Sequence, residues 1–343
     1  FAIHLEGASE EDAVRAARRI TAAVAEPFNV DCENIRTETS VGIALWAPGD
    51  TVDDLVDRAD AAMYAAKKRG GGTYEVFSEK IHTEVVDKVG LKADLQRAIE
   101  RDQLELHYQP ILQLATGGVV GFEALLRWRH PVRGMLPPQE FIGLAEQTGL
   151  IVPIGAWVVR EACRQASHLT ELHPDLAPLG MNVNVSPRQL QDPSFVDEVF
   201  RALDESGFAA HRLTLEITET TGVDDPEAAI ARLRELKQLG VRLAIDDFGI
   251  GYSTLSYPRR FPVDQLKIDR SFVSGLGDNA DDTAIVENVI TLAHSLDLET
   301  VAEGVETAAQ MEHLIRLGCD QAQGYHWQRP SPEPILPTAP VYH

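Results

Sequence analysis

Two patterns of apolar and polar residues follow one another along the chain. In residues 1–77, short apolar runs alternate with amphipathic stretches, which predicts the order strand, helix, strand, helix, strand. "FAIHLE" is the first predicted strand, "SEEDAVRAARRITAAVAEPF" the first helix with Ser9 as its N-cap, and "TETSVGIALW" the second strand. The second helix ends at the three glycines 70–72. Such a segment is typical of one part of a compact α+β domain.

A helical linker is predicted between the two patterns. Residues 78–99 have the composition and spacing of a helix, and Gly90 interrupts them, because glycine is unfavourable inside a helix. We therefore expect residues 78–90 to connect the first domain to a second domain that spans residues 91–335.

The second pattern consists of eight apolar runs separated by helix-like stretches. The runs are "LHYQP", "VVGFEALLR", "GMNVNVS", "LTLEITE", "LAIDD", "QLKID", "TVAEGVE" and "CDQAQG". Strands that alternate with helices over roughly 230 residues predict a closed (β/α)₈ barrel, a fold that typically takes about 250 residues. Several runs end in a polar residue, and barrels of this kind place their active sites at the carboxyl ends of the strands.

Polar side chains at these strand ends are the main chemical signal. They are Glu123, Asn184, Glu216, Asp246, Asp247, Lys267, Asp269 and Glu303, with Gln323 after the last run. One acid at a strand end usually caps a helix, but four strands ending in Glu, Asn, Glu and Asp offer the oxygen ligands that Mg²⁺, Mn²⁺ or Ca²⁺ prefer. The adjacent aspartates suggest two metal ions, which suit phosphoryl transfer. An aldolase-like or enolase-like Mg²⁺ barrel fits the same carboxylates.

Composition restricts the partners and the location. The 343 residues carry a net charge of −22, which disfavours binding to a nucleic-acid polymer, because phosphate backbones bind positive surfaces. Cys32, Cys163 and Cys319 lack the spacing of a disulfide framework and indicate a cytoplasmic location. The sequence contains no run of about 18 apolar residues, which is the length that predicts a membrane span. The chain begins with Phe1, so we expect upstream regions to carry any membrane attachment.

Motifs in residues 91–330 resemble those of a known family. "GFEALLRWRHP" contains a Glu-Ala-Leu signature, and "NVSPRQL", "LEITET", "DDFGIGYSTL", "LKIDRSFV", "VAEGVET" and "QGY" follow it in order. This part of the chain resembles the EAL-domain family. The resemblance implies a modified barrel whose first strand is antiparallel. It also implies a phosphodiesterase that hydrolyses cyclic di-GMP to linear pGpG with Mg²⁺ or Mn²⁺.

The resemblance also implies roles for individual residues. The implied metal ligands are Glu123, Asn184, Glu216, Asp246 and Asp247. The implied catalytic residues are Lys267, which would contact the attacking water, Glu303, and Glu219, which would hold the loop after the two aspartates. The implied substrate-binding residues are Gln109, Arg127, Asp269 and Gln323. The implied partner is a second copy of the chain, bound through the EAL domain.

Residues 1–77 resemble the C-terminal part of a GGDEF domain, the diguanylate cyclase fold. "ADAAMYAAKKRGGGTYEVF" and "TETSVGIA" carry this resemblance, and the signature residues of that family would precede Phe1. The predicted fold class is therefore α/β, a modified TIM-like barrel preceded by a partial α+β domain. The rival to catalysis is a catalytically weak cyclic di-GMP receptor, because Ile250 and Pro258 depart from the family pattern in the loop after Asp247.

Overall fold

The chain separates into two compact units, Phe1–Asp94 and Leu95–His343. The structure is a computed structural model, and it describes residues 1–26, 28–30, 33–35, 37–69, 71–78, 90–172, 178–218, 221, 225–249 and 261–334.

Among the described residues before the linker, the first unit contains the helices α1 (Glu10–Ala25) and α2 (Val52–Lys68). Each begins with a capping box, in which the side chain of Ser9 or Thr51 accepts a hydrogen bond from the third residue of its helix. Four short strands accompany the helices: β1 (Phe28–Val30), β2 (Glu33–Ile35), β3 (Val41–Ile43) and β4 (Tyr74–Val76). β1 and β2 are antiparallel, whereas β3 and β4 are parallel.

Three sequence predictions for this unit need correction. Residues 1–6 form no strand, and Phe1, Ile3 and Leu5 are exposed, because none of the described strands pairs with them. Helix α1 ends at Ala25 instead of continuing through residue 28, since the ring of a proline disfavours helical geometry in the preceding residue, and Glu26 is extended. The second predicted strand is reduced to the three residues of β3.

The predicted linker lies mostly outside the described residues. A helical segment at residues 90–98 precedes the barrel, whereas residues 79–89 belong to the part of the chain that is not described.

The second unit is built around a closed ring of eight strands, as the eight apolar runs predict. They are β5 (Leu104–Gln113), β6 (Val119–His130), β8 (Gly180–Val185), β9 (Leu213–Thr218), β10 (Arg242–Phe248), β11 (Gln265–Ile268), β12 (Glu299–Ala302) and β13 (Gln321–Ala322). β5 pairs antiparallel with both of its neighbours, β6 and β13, and the other neighbours in the ring are parallel. A three-residue strand, β7 (Gly134–Leu136), extends the sheet outside the ring by pairing with β6. The prediction of a modified barrel with an antiparallel first strand is confirmed.

Helices follow most of the strands and cover their outer face. They are α3 (Pro138–Thr148), α4 (Ile151–Leu172), α5 (Pro187–Gln191), α6 (Phe195–Ser206), α7 (Pro226–Gln238), α8 (Arg270–Ser274), α9 (Ala280–Ser295) and α10 (Ala308–Leu317), with a 3₁₀ turn at Ala210–Arg212. The predicted apolar stripe of α7 is buried at Ile230, Leu233 and Leu236. Within the described ranges, none of the helices combines the length and the apolar character that a membrane crossing needs.

The barrel strands are buried on both faces, but the two faces differ chemically. Outward residues such as Leu215, Leu243 and Leu266 are apolar and fully buried beneath the helices. The inward residues include Asn182, Glu216 and Lys267, and these polar side chains are also buried. The polar interior at the carboxyl ends of the parallel strands is where the fold positions its chemistry.

Candidate active site

A buried lysine lies at the centre of the polar interior. The side chain of Lys267 on β11 is fully buried. Its Nζ lies 2.5 Å from Glu303 Oε1 and 2.7 Å from Glu216 Oε2, and carboxylate oxygens of Asp246 and Glu123 are 3.4 and 3.6 Å away. A buried ammonium group requires such partners, because an unpaired charge is costly away from water. Side chains from four strands of the ring, and from the residue that follows β12, therefore converge on one point.

Two asparagines on β8 connect this cluster by crossed hydrogen bonds. Asn182 and Asn184 are two residues apart, so that the alternation of a regular strand directs both to the interior. Asn182 Nδ2 donates to Glu216 Oε1 on β9 at 2.8 Å, and Asn184 Nδ2 donates to Glu123 Oε1 on β6 at 2.7 Å. Asn182 is 5 % exposed, whereas Asn184 is open to solvent. The strand thus contributes one amide below the site and one at its opening.

The two adjacent aspartates on β10 reach the same region by an irregular backbone. Successive side chains of a regular strand point to opposite faces, which would separate Asp246 from Asp247. A bulge interrupts the pairing of β10 with β11 between Ile245 and Phe248, and Asp247 has a positive φ of 54°. The Asp247 backbone N–H donates to Asp246 Oδ1 at 3.0 Å. The bulge therefore brings both carboxylates to the open end of the barrel.

The carboxylates of Asp246, Asp247 and Glu303 form a group suited to a metal ion. Each offers one oxygen, and these three oxygens lie within 4.8 Å of one another. The buried amide oxygen Oε1 of Gln323 has no hydrogen-bond partner among the described residues. Its Nε2 donates to carboxylate oxygens of both Glu123 and Glu303. This all-oxygen set fits a hard divalent cation, because Mg²⁺ and Mn²⁺ prefer carboxylate and carbonyl ligands.

Burial and mutual repulsion raise the pKa of several of these carboxyl groups. The pKa of Glu303 is raised to about 8 by burial and by the charges of Asp246 and Glu123, although Lys267 acts in the opposite direction. Burial, together with the charges of Asp246 and Asp269, raises the pKa of Asp247 to about 6. Without a cation, the site therefore holds more negative charge than its surroundings stabilise.

Two other groups respond differently to the same surroundings. Burial alone would raise the pKa of Glu123, but the Lys267 ammonium and the amides of Gln323 and Asn184 lower it. Burial alone would lower the pKa of Lys267, but the surrounding carboxylates raise it well above its ordinary value. Lys267 is consequently charged at neutral pH despite its complete burial.

An open cleft of about 200 Å³ leads to the cluster. Its described lining includes Gln109, Glu123, Asp246, Glu303 and Gln323 from the predicted site. Gln109 Nε2 donates to the backbone oxygen of Gln328 at 3.2 Å.

Arg270 is the only basic residue among those described that line this cleft. Its Nη2 lies 2.7 Å from Glu306 Oε1. Its side chain covers Gly304, where a Cβ atom would lie 2.3 Å from Arg270 Cγ and where φ is +68°. Glycine is required at this position by both the close approach and the backbone conformation. The cleft therefore has an arginine at its edge.

The remaining predicted residues occupy different positions. Arg127 is half-buried outside the cleft lining, its Nη1 donates to the backbone oxygen of Leu126, and burial lowers its pKa. Asp269 caps α8 by accepting a hydrogen bond from the Ser271 N–H, and it also contacts the Asp247 carboxyl group. Glu219, Ile250 and Pro258 lie outside the described residues.

Sequence reasoning missed two residues of this site, Asn182 and Arg270. Asn182 shares the inward face of its strand with Asn184, so that the two-residue spacing was an available signal. Arg270 directly follows Asp269 at the end of a strand, where barrel active sites are found.

Two family descriptions match the chain. "EAL domain" matches residues 92–330, and "Diguanylate cyclase, GGDEF domain" matches residues 1–73. The first match covers more than half of the chain and includes every strand of the ring.

Curated relatives are similar over nearly the whole chain. The bifunctional diguanylate cyclase/cyclic di-GMP phosphodiesterase MucR of Pseudomonas aeruginosa is 42% identical over 334 residues, which are 97% of this chain and 48% of MucR. The cyclic di-GMP phosphodiesterase NbdA of the same organism is 39% identical over 334 residues, which are 97% of this chain and 42% of NbdA. The chain thus spans less than half the length of these relatives.

Solved structures give the same assignment. The PaMucR phosphodiesterase, in a complex with c-di-GMP, has a TM-score of 0.67 and 46% identity, covering 71% of this chain and 98% of the other. The EAL enzyme Bd1971, in a form bound to cAMP and cyclic di-GMP, has a TM-score of 0.70 and 30% identity, covering 83% of this chain and 74% of the other. The chain therefore belongs to the EAL-domain family and carries part of a GGDEF domain before its barrel in sequence.

Proposed function

We propose that this protein is a metal-dependent phosphodiesterase that hydrolyses cyclic di-GMP to linear pGpG in bacterial signalling. The observation that carries the proposal is the single cluster in which an all-oxygen donor set meets a fully buried lysine at the open end of the barrel. The names of the relatives MucR and NbdA support the same substrate. In this proposal, residues 1–77 are the partial GGDEF domain, 78–90 the linker and 91–335 the phosphodiesterase domain.

The proposed metal site uses the residues that the bulge and the flanking strands bring together. The residues that would hold the metal ions are Glu123, Asn184, Glu216, Asp246 and Asp247, with Glu303 as a further carboxylate. When bound, two Mg²⁺ or Mn²⁺ ions supply positive charge that stabilises the attacking and leaving oxygens of a phosphoryl transfer. The amide nitrogen Nδ2 of Asn184 donates a hydrogen bond to Glu123 Oε1, which leaves the amide oxygen of Asn184 available as a ligand.

Lys267 has two proposed tasks in the reaction. It neutralises part of the negative charge that four carboxylates place around it, which keeps the cluster compact. Because its ammonium group has three protons to donate, it can also hold the attacking water against the scissile phosphate. Glu219 is proposed to hold the loop that follows Asp247.

The substrate carries negative charge into an acidic cleft, and basic side chains must offset this repulsion. We assign Gln109, Arg127, Asp269 and Gln323 to the substrate-binding region. Arg270 joins them, since it lines the cleft and can exchange Glu306 for a phosphate oxygen. Arginine suits this contact, because its planar guanidinium group forms paired hydrogen bonds with phosphate.

Assembly and location belong to the proposal as well. The family resemblance supports a cytoplasmic enzyme that forms a homodimer through the EAL domain. Light scattering during size-exclusion chromatography measures the mass directly. One chain has a mass of 37.7 kDa, and we expect the mass of a dimer.

The direct test is a hydrolysis assay with the purified chain. Cyclic di-GMP is incubated with Mg²⁺ or Mn²⁺, pGpG is followed by chromatography, and a parallel sample contains EDTA. We expect pGpG only in the presence of the metal ions. Glu123→Ala should lower turnover by orders of magnitude, because it removes a ligand. Glu235→Ala, a matched change at a solvent-exposed ion pair on α7, should leave turnover unchanged.

The same assay separates the enzyme from its rival. Tight binding of cyclic di-GMP without turnover in either metal ion would support the receptor and contradict the enzyme. Turnover of Glu123→Ala at the rate of the unmodified chain would contradict the metal assignment.

A further inference from the structure

We propose that Asn182 is a positioning residue that orients the Glu216 carboxylate for metal binding. The proposal rests on the proposed function, since it concerns the same metal site. Asn182 belongs to the layer of side chains below the cluster, and nothing in the sequence motifs assigns it a role.

The hydrogen bonds of Glu216 show how the orientation is fixed. Glu216 Oε1 accepts from Asn182 Nδ2 at 2.8 Å, and Glu216 Oε2 accepts from Lys267 Nζ at 2.7 Å. Each oxygen therefore accepts at least one hydrogen bond inside the barrel, and the Glu216 carboxyl group is held from both sides. A carboxylate oxygen has a second lone pair, so that each oxygen can accept a hydrogen bond and bind a cation at the same time.

The neighbouring strands make this contact specific to Asn182. Its register partners are Glu123 on β6 and Thr214 on β9, and Glu216 lies two residues beyond Thr214. The amide reaches forward to that glutamate, whereas Asn184 reaches back to Glu123. Asn182 therefore binds Glu216 from the buried layer, and Asn184 binds Glu123 from the opening.

Loss of the Asn182 donor has a cost that packing alone does not explain. Without it, Glu216 Oε1 has to find another donor in a fully buried position or rotate toward one. Groups that hold metal ligands in place typically contribute 10- to 100-fold to metal affinity or activity. We expect a change of about tenfold in metal affinity here, because Lys267 continues to hold the other oxygen.

The test compares variants of Asn182 and Thr214, two buried residues of the same layer, by calorimetric titration of Mn²⁺ into the metal-free protein. Asn182→Leu keeps a side chain of similar shape but removes the amide donor. Asn182→Ala removes both the shape and the donor. Thr214→Val is the matched control, since Thr214 is 4 % exposed in the same layer. We expect Kd for Mn²⁺ to rise about tenfold in both Asn182 variants and less than twofold in the control. Circular dichroism establishes the folded fraction of each sample.

The outcomes distinguish this inference from the proposed function. If the unmodified chain binds no Mn²⁺, the proposed function itself fails. If it binds Mn²⁺ and the Asn182 variants bind equally well, only the positioning role is wrong.

A measurement on the unmodified chain covers the case in which the variants do not fold. The side-chain amide protons of Asn182 should exchange slowly with D₂O and should shift in the NMR spectrum when Mg²⁺ is added. Exchange at the rate of a free amide, or resonances that Mg²⁺ leaves unchanged, would overturn the inference.

Discussion

Strands β8 and β10 deliver pairs of polar side chains to the same interior by different backbone routes. β8 is regular, and its two asparagines are two residues apart on one face. β10 carries two consecutive aspartates, and a bulge with a positive φ at Asp247 is needed to bring both to one end of the barrel. Regular alternation supplies the amide donors, whereas a local irregularity concentrates the negative charge.

The difference shows where the fold tolerates strain. A left-handed conformation costs a residue with a side chain about 1–2 kcal/mol. Irregular backbone of this kind occurs often at functional sites, where the surrounding structure maintains it. β8 needs no such compensation, and its asparagines stabilise glutamates on the flanking strands β6 and β9.

The largest expected effect is on the bulged strand. Asp246→Asn keeps the shape of the side chain but removes a charge from the proposed metal site. Turnover of cyclic di-GMP should fall on the order of a thousandfold, which corresponds to about 4 kcal/mol of transition-state stabilisation. Asp278→Asn, the same change at an exposed loop position, is the control and should have the activity of the unmodified chain. Similar activity in the two variants would contradict the site assignment.

The corresponding change on the regular strand should be smaller. Asn184→Ala removes an amide that supports Glu123 and offers an oxygen to the cation, but it leaves the charges in place. We expect turnover to fall about 10- to 100-fold, with weaker Mn²⁺ binding. A loss larger than that of Asp246→Asn would mean that β8, and not the bulge, provides the dominant contribution.

The charge concentrated at the bulge should also appear in the pH dependence of stability. A carboxyl group whose pKa is raised in the folded state binds protons more tightly when folded, so that the free energy of unfolding falls as pH rises through that value. For Glu303, near pH 8, and Asp247, near pH 6, the metal-free protein should lose stability between about pH 5 and 8. Thermal unfolding in EDTA measures this loss, and Mg²⁺ should reverse most of it at pH 8. Constant or rising stability from pH 6 to 8 would contradict these pKa values.

The smallest effect concerns the bulge itself. The free energy of unfolding of Asp247→Gly should exceed that of Asp247→Ala by about 1–2 kcal/mol, because only glycine adopts a positive φ without strain. At Asp246, which has no positive φ, the alanine variant should instead be more stable than the glycine variant by about 0.5–1 kcal/mol. Denaturant unfolding of the four variants checks this prediction. The same order at both positions would mean that the bulge is not strained.

Much of the barrel could be predicted from alternation alone. The eight apolar runs correspond to the eight strands of the ring, and residues such as Asn184, Glu216 and Lys267 lie where strand ends meet. The position of Asp247 could not be derived in this way, since regular alternation would direct it away from Asp246. Its placement depends on the bulge in β10, which the pattern of apolar and polar residues does not predict.

Other differences have equally local causes. Asn182 was missed because a polar residue inside an otherwise apolar strand does not reveal which neighbour satisfies it. Residues 1–6 have the apolar content of a strand, but a strand needs a partner, and pattern alone does not supply one. Sequence therefore predicts which face a residue occupies more securely than which atom it contacts.

The central claim is that the carboxylates gathered at the open end of the barrel hold divalent cations. Crystals soaked in Mn²⁺ and measured at the manganese absorption edge test it most directly. We expect anomalous peaks from manganese ions bound to the carboxylate oxygens of Asp246 and Asp247, and the loss of these peaks in Asp246→Asn. Manganese peaks elsewhere in the protein, with none at these two aspartates, would contradict it.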